Sequence, residues 1–238
     1  MQAVIRLTLA LREPVIGVPY PCAMKVEIFS DVACPFCYIG MANFQKALAA
    51  YPDPDSVEVT WRSFQLNPDL PREIEGDMYD YLSEKFGVSR DEARAMNDRV
   101  LASAHGAGIE MDFDRAKPAN TFDAHRMLHL AAEAGRDDEL ARILFDAYFN
   151  GKANLADPEA LIELAVEAGI DRTRAEEVAR GDRFADDVMI DRGLASELGI
   201  TAVPTFVIDR RLGVSGAQPP EVLLGALTQA AAEPVSTP

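Results

Sequence analysis

The sequence predicts an α/β chain in which a small sheet is split by a long all-helical insertion. Alternating apolar runs cluster near the two ends, at residues 25–30 and 57–64 on one side and 205–209 and 212–216 on the other. Between about residues 78 and 198 no strand pattern appears, and apolar positions recur at helical spacing. A stretch of about 120 residues is too long for a loop without structure of its own.

Taken in order, the first strand is Lys25-Val26-Glu27-Ile28-Phe29-Ser30. Cys34-Pro35-Phe36-Cys37 comes next and opens a helix expected over residues 38–50. Pro52-Asp53-Pro54-Asp55 is a turn cluster, and residues 57–64 alternate at period two as a second strand, ended by Asn67-Pro68-Asp69-Leu70-Pro71. Helices are expected over residues 78–86, 90–105, 121–134, 137–150, 158–168, 172–180 and 184–198. Ser89 is a good N-cap, and Asp157-Pro158 places Pro at a first helical position. Two short strands return at 205–209 and 212–216, a final helix runs over 221–231, and the polar tail from Glu233 to Pro238 is expected to fray.

This order of strand, helix, strand, helical segment, strand, strand, helix fits a thioredoxin fold. Two strands pair in parallel through a crossover helix, and a hairpin and covering helix complete the sheet. The expected organisation is an extension at 1–23, a thioredoxin-like domain from 24–75 and 199–232, and a helical insertion at 76–198.

The chain has 238 residues, 48% hydrophobic and 26% charged, which is enough for an ordinary core. A formal net charge of -16 argues against nucleic acid as a partner, because phosphate binding needs Lys and Arg. No apolar run reaches the roughly 18 residues that span a bilayer, so no membrane partner is expected. Arg6 interrupts the apolar run near the start, and Pro14, Pro19 and Pro21 break the stretch after it, a poor match to a secretory signal. Residues 1–23 therefore read as a disordered extension, and the cytoplasm is the default location.

The three cysteines are Cys22, Cys34 and Cys37, too few and odd in number for a disulfide framework. Two cysteines separated by two residues, at a strand-to-helix junction, form a redox motif. The helix start favours an anion, and a thiolate is the nucleophile of disulfide exchange. Cys34 is expected to be the exposed nucleophile, and Cys37, one helical turn inward, the resolving thiol. As half of a zinc site the pair would need four ligands, and neither Cys22 nor the three histidines offers a paired spacing. No metal or nucleotide cofactor is expected.

Val203-Pro204 opens a later strand, and spacing alone reads Pro204 as an ordinary strand-start proline. His125 and His129 lie four apart and share a helix face; as metal ligands they lack a third partner. Asp31 reads first as a loop acid and second as a proton relay. The scattered methionines read as core filler.

Several segments together resemble the DsbA-like family, in particular its FrnE-like branch. They are residues 25–40, Trp61-Arg62-Ser63-Phe64-Gln65-Leu66-Asn67-Pro68, Asn120-Thr121-Phe122-Asp123-Ala124-His125-Arg126, Val203-Pro204-Thr205-Phe206-Val207-Ile208 and Gly213-Val214-Ser215-Gly216-Ala217-Gln218. The likeness covers residues 24–232 and implies thiol–disulfide oxidoreductase activity. It implies Cys34 as nucleophile, Cys37 as resolving thiol, and Pro204 as a cis-proline facing them. Val203 would then hold a substrate backbone, beside Pro35 and Phe36. Asn120 and His125 are expected to line the cleft between the two parts. The expected partner is a disulfide- or thiol-containing protein, or glutathione as redox partner.

Periplasmic DsbA has a histidine where this chain has Phe36. Phe cannot donate a hydrogen bond to a thiolate at Cys34, which predicts a milder potential than the roughly -120 mV of DsbA. Kappa-class glutathione transferases and hydroxychromene carboxylate isomerases share the architecture but typically carry serine at the Cys34 position. They supply the rival reading, a glutathione-dependent isomerase or transferase of a small aromatic substrate. A non-enzymatic binding module would be indifferent to both cysteines.

Overall fold

The computed structural model describes residues 4–6, 23–72 and 74–232. Strand β2 (Met24–Ser30) leads into helix α1 (Pro35–Ala49), which returns the chain to β3 (Val57–Ser63), parallel to β2. Seven helices come next: α2 (Met78–Phe86), α3 (Arg90–Ala107), α4 (Phe122–Glu133), α5 (Asp137–Phe149), α6 (Pro158–Glu167), α7 (Arg172–Arg180) and α8 (Ala185–Glu197). The hairpin β4 (Thr205–Ile208) and β5 (Leu212–Ser215) joins the sheet through β4, which pairs antiparallel to β2, and α9 (Pro220–Ala232) packs over it.

Two expectations change. Helix α1 begins at Pro35 rather than Tyr38, with Cys34 as its N-cap residue. Proline suits this first position because its missing N–H would have no helical partner there. Residues 1–23 are not wholly an unstructured extension, because β1 (Val4–Arg6) pairs antiparallel with β5. Without it β5 would present an unpaired edge. The sheet order is therefore β1-β5-β4-β2-β3. Residues 1–3 and 7–22, which include Cys22, and the tail from Glu233 lie outside the described residues.

The period-two pattern of β2 divides its side chains between two faces. Val26 and Ile28 face α1 and α9, where Phe44 stacks on Phe206 at 5.3 Å between ring centroids. Phe29 lies on the other face with Val207 and Ala195 of α8. Burial of one such side chain contributes roughly 1.5–3 kcal/mol. Ser89 caps α3 in a reciprocal box with Glu92, and Pro158 takes the first position of α6, both as the sequence predicts; the Asp157 side chain also caps α6.

The helical segment is joined to the sheet by aromatic packing. Tyr38 of α1 stacks on Phe145 of α5 at 5.2 Å, and the Trp61 indole N–H donates to Asp138. Across the other face, Arg62 of β3 bridges Glu27 of β2 and Asp191 of α8, at 2.7 and 3.0 Å. Glu27 also receives Arg210, and these two guanidinium groups outweigh burial and lower its carboxyl pKa.

Candidate active site

The turn between β2 and α1 is fixed by Asp31. Its main-chain carbonyl accepts the Cys34 N–H at 2.9 Å, and its carboxylate accepts the N–H groups of Ala33 and Leu66 at 3.1 and 2.7 Å. Asp31 is thus a buried loop acid. Burial alone would raise its pKa, but the His125 ring and those two N–H groups bring it below the ordinary carboxylate value.

That shift predicts a pH dependence. A carboxyl whose folded pKa lies below its unfolded value of about 3.9 stabilises the fold above that pH. The contribution disappears as pH falls through the lower folded value. Urea midpoints measured downward from pH 5 should therefore fall more steeply for the parent protein than for Asp31→Asn. Equal slopes would show that Asp31 is no more acidic folded than unfolded.

Cys34 and Cys37 are both free thiols at the start of α1. Cys37 N–H donates to the Cys34 carbonyl at 3.0 Å, so the first turn is formed and the two side chains share one end of the helix. Cys34 is not the exposed thiol expected: it is 5% exposed, because the Val203–Pro204 segment lies across the helix start. Its Sγ is 3.7 Å from the Val203 carbonyl, the acceptor of its S–H. Cys37 lies deeper, at 1% exposure. Burial pushes its thiol well above the usual range, and the neighbouring Cys34 adds to this.

The Val203–Pro204 peptide bond is cis, as the resemblance implies and spacing alone does not. Pro204 is held on both sides. Its carbonyl accepts the Gly216 N–H at 2.8 Å, and its ring fills the space where a Cβ on Gly40 would stand, 2.7 Å from Cγ. Gly40→Ala must therefore separate α1 from Pro204. We expect a loss of about 1–3 kcal/mol in urea unfolding, against the gain of up to ~1 kcal/mol that helix propensity alone predicts. A gain would show that the proline ring yields.

Beside Cys34 opens a groove of ≈ 640 Å³ between the sheet end and helices α2 and α3. Cys34, Pro35, Phe36 and Val203 form one wall, and the facing wall is largely apolar, with Met78, Leu82 and Phe86. Phe36, Leu66 and Phe86 are 45%, 42% and 52% exposed, an unusual grouping of large apolar side chains around one opening. The facing wall is not legible in the sequence, where those positions look like ordinary faces of amphipathic helices.

Asn120 and His125 do not line this groove, contrary to expectation. Asn120 braces the chain after β3: its side-chain NH₂ donates to the Leu70 carbonyl and its oxygen accepts the Phe122 N–H. It borders a separate polar depression with Gln65, Arg72 and Arg192. His125 is 2% exposed, with Nε2 3.6 Å from Asp31 Oδ1. The reason is the register of α4, which buries every residue from Asp123 to Leu128.

Comparison with known proteins agrees with this arrangement. The profile of the DSBA-like thioredoxin domain matches residues 25–228. The crystal structure of a probable DsbA oxidoreductase from Streptomyces coelicolor superposes with a TM-score of 0.85 and 43% identity, over 90% of this chain and 93% of that one. An uncharacterised protein of Bacillus subtilis, YwbO, is 29% identical over 188 residues, 78% of this chain and 86% of its own length. The cytosolic disulfide reductase DsbM of Pseudomonas aeruginosa, solved with GSH, shares the fold at a TM-score of 0.60 and 17% identity, over 87% and 98% of the two chains. With a redox dithiol at the start of α1, a cis-proline against it and a profile match over most of its length, the chain belongs to the family of DSBA-like thioredoxin domains.

Proposed function

We propose that the protein is a dithiol–disulfide oxidoreductase of the FrnE-like branch that works in the cytoplasm without a metal or nucleotide. The observation that carries this reading is the placement of Cys34. It lies at the mouth of an apolar groove, with Cys37 one turn behind it and the Val203 carbonyl in front of it. Among the described residues no helix is long and apolar enough to cross a membrane.

Cys34 as thiolate attacks one sulfur of a substrate disulfide, forming a mixed disulfide and releasing the other sulfur as a thiolate. Cys37 then attacks the Cys34 sulfur, forms the internal disulfide and expels the second substrate thiolate. Two electrons pass from the dithiol to the substrate, and the reverse sequence oxidises a substrate dithiol. The groove suits a disulfide flanked by apolar groups, in a protein or in a smaller thiol such as glutathione. Val203 lies where its backbone can pair with an extended substrate.

The test is exchange with a disulfide-bonded protein such as insulin in a glutathione buffer. The parent protein should accelerate it, and Cys34→Ser should be inactive. Equal activity of Cys34→Ser would exclude this chemistry. Activity on a small aromatic glutathione conjugate that persists in Cys37→Ser would favour the isomerase or transferase instead.

A further inference from the structure

The groove beside Cys34 carries a polar group that the redox chemistry does not use. Helix α3 lines it with Met96, Asn97 and Val100, which share one face at helical spacing. The other buried residues of α3 are Ala93, Ala104 and Ala107, so Asn97 is the polar member of an apolar stripe. It is 6% exposed, and its Nδ2 has no hydrogen-bond partner. A buried amide without a partner is destabilising, and asparagine is a weak helix former as well. Neither packing nor helix formation accounts for this residue. A ligand in the groove does, because a side-chain NH₂ donates to a carbonyl oxygen.

The charges of the groove are one-sided. The charged side chains on its walls are Asp31, Lys85 and Arg99. Asp31 is 1% exposed and already accepts the N–H groups of Ala33 and Leu66. Lys85, in the last turn of α2, and Arg99, on α3, are exposed. Neither forms an ion pair among the described residues; the Lys85 ammonium lies over the Tyr81 and Phe86 rings. Glu84 and Asp98, their neighbours in sequence, do not border the groove.

Building on the oxidoreductase reading, we propose that the groove binds an extended acidic polypeptide segment that is apolar around its disulfide-bonded cysteine, with Asn97 donating to a main-chain carbonyl and Lys85 and Arg99 pairing with carboxylates.

Such a segment meets all the features of the groove at once. Its main chain pairs with Val203 on one wall and Asn97 on the other, and its apolar side chains rest against Phe36, Leu82 and Phe86. Its carboxylates reach the two cations of the helical wall. The formal net charge of -16 opposes an acidic ligand from a distance. At physiological ionic strength exposed charges more than about 8 Å away are largely screened, so the groove's own cations decide.

The test uses the full chain with Cys22→Ser as background, at physiological ionic strength. Reduced protein is offered the symmetric disulfide of a short peptide whose cysteine has apolar neighbours and flanking aspartates. The same peptide with lysines for aspartates, oxidised glutathione and the small, uncharged hydroxyethyl disulfide are offered separately. Acid quench and mass time the first exchange as a second-order rate constant. The acidic peptide should react roughly 3–10-fold faster than the basic one, and the double variant Lys85→Gln, Arg99→Gln should remove that preference. Asn97→Leu should lower the ratio of the acidic-peptide rate to the hydroxyethyl disulfide rate by about 3–10-fold, the worth of one hydrogen bond. Its urea midpoint should equal or exceed the parent's, because an unpartnered amide has been removed. Asn97→Ala, which only shortens the side chain, should show the same loss of ratio. An unchanged ratio in both Asn97 variants, or an acidic peptide no faster than the basic one or than oxidised glutathione, would overturn the proposal alone. A parent protein that reacts with none of the four disulfides would overturn the oxidoreductase reading as well.

Discussion

Cys37→Ser should stop turnover while leaving the first exchange intact, and the protein should accumulate as a Cys34 mixed disulfide. In the proposed mechanism the resolving thiol is Cys37, one helical turn behind Cys34, and no other described cysteine can take its place. A serine hydroxyl at that position is a poor nucleophile at neutral pH, so multiple turnover should fall by roughly 100-fold or more. Whole-protein mass after reaction with oxidised glutathione should show one added glutathione that is lost on reduction. The groove makes the adduct accessible, because Cys34 lines it and Cys37 does not. Cys34→Ser should form no adduct. If Cys37→Ser turns over as fast as the parent, the second thiol is not part of the cycle.

The second large effect is on stability. Arg126 of α4 is 3% exposed and its guanidinium makes four hydrogen bonds. It donates to Asp123 at 2.9 Å and to the carbonyls of Val178, Gly181 and Arg183 at 2.6, 2.7 and 2.9 Å. Those carbonyls lie at the end of α7 and in its link to α8, where the helix dipole is negative and acceptors lack helical partners. Arg126→Met keeps much of the volume but strands three carbonyls and shares of a carboxylate. Removing one partner from a buried charged network costs about 3–5 kcal/mol, a large part of a total near 5–15 kcal/mol. Urea unfolding should show this as a lower midpoint with an unchanged slope. Arg126→Lys should recover little, because one ammonium cannot span the same acceptors. A loss under about 1 kcal/mol would mean that water replaces the guanidinium freely.

Arg126 also marks what the sequence could and could not disclose. It belongs to a segment that supports the family resemblance, yet nothing in its local pattern tells that it is buried, since its partners on and beyond α7 lie more than fifty residues away. The same holds for Asn120 and His125. Helical spacing puts them on α4 or just before it, but the expectation that they face the cleft depends on how α4 is rotated. Capping signals and periodicity, by contrast, are local. Helices α2 and α7 have the predicted bounds, and Ser89 caps and Pro158 opens the helices that the sequence assigns to them.

The redox pair is legible because its chemistry is local as well: two thiols, a strand end and a helix start. Its exposure is not, because Cys34 is covered by Val203 from 169 residues later in the chain. The short strand β1 escapes the sequence pattern for a related reason. Three residues in a proline-interrupted segment carry too little pattern to announce a strand, and it is the open edge of β5 that pairs with them.

The most direct test of the account is the equilibrium of Cys34 and Cys37 against glutathione buffers, read by thiol mass-tagging with Cys22→Ser as background. We expect reversible formation of one internal disulfide. Its midpoint should lie at a more reducing potential than the roughly -120 mV of DsbA, because Phe36 cannot hydrogen-bond a thiolate. A pair that stays reduced, or a Cys34 that gathers only a stable glutathione adduct, would contradict the dithiol mechanism.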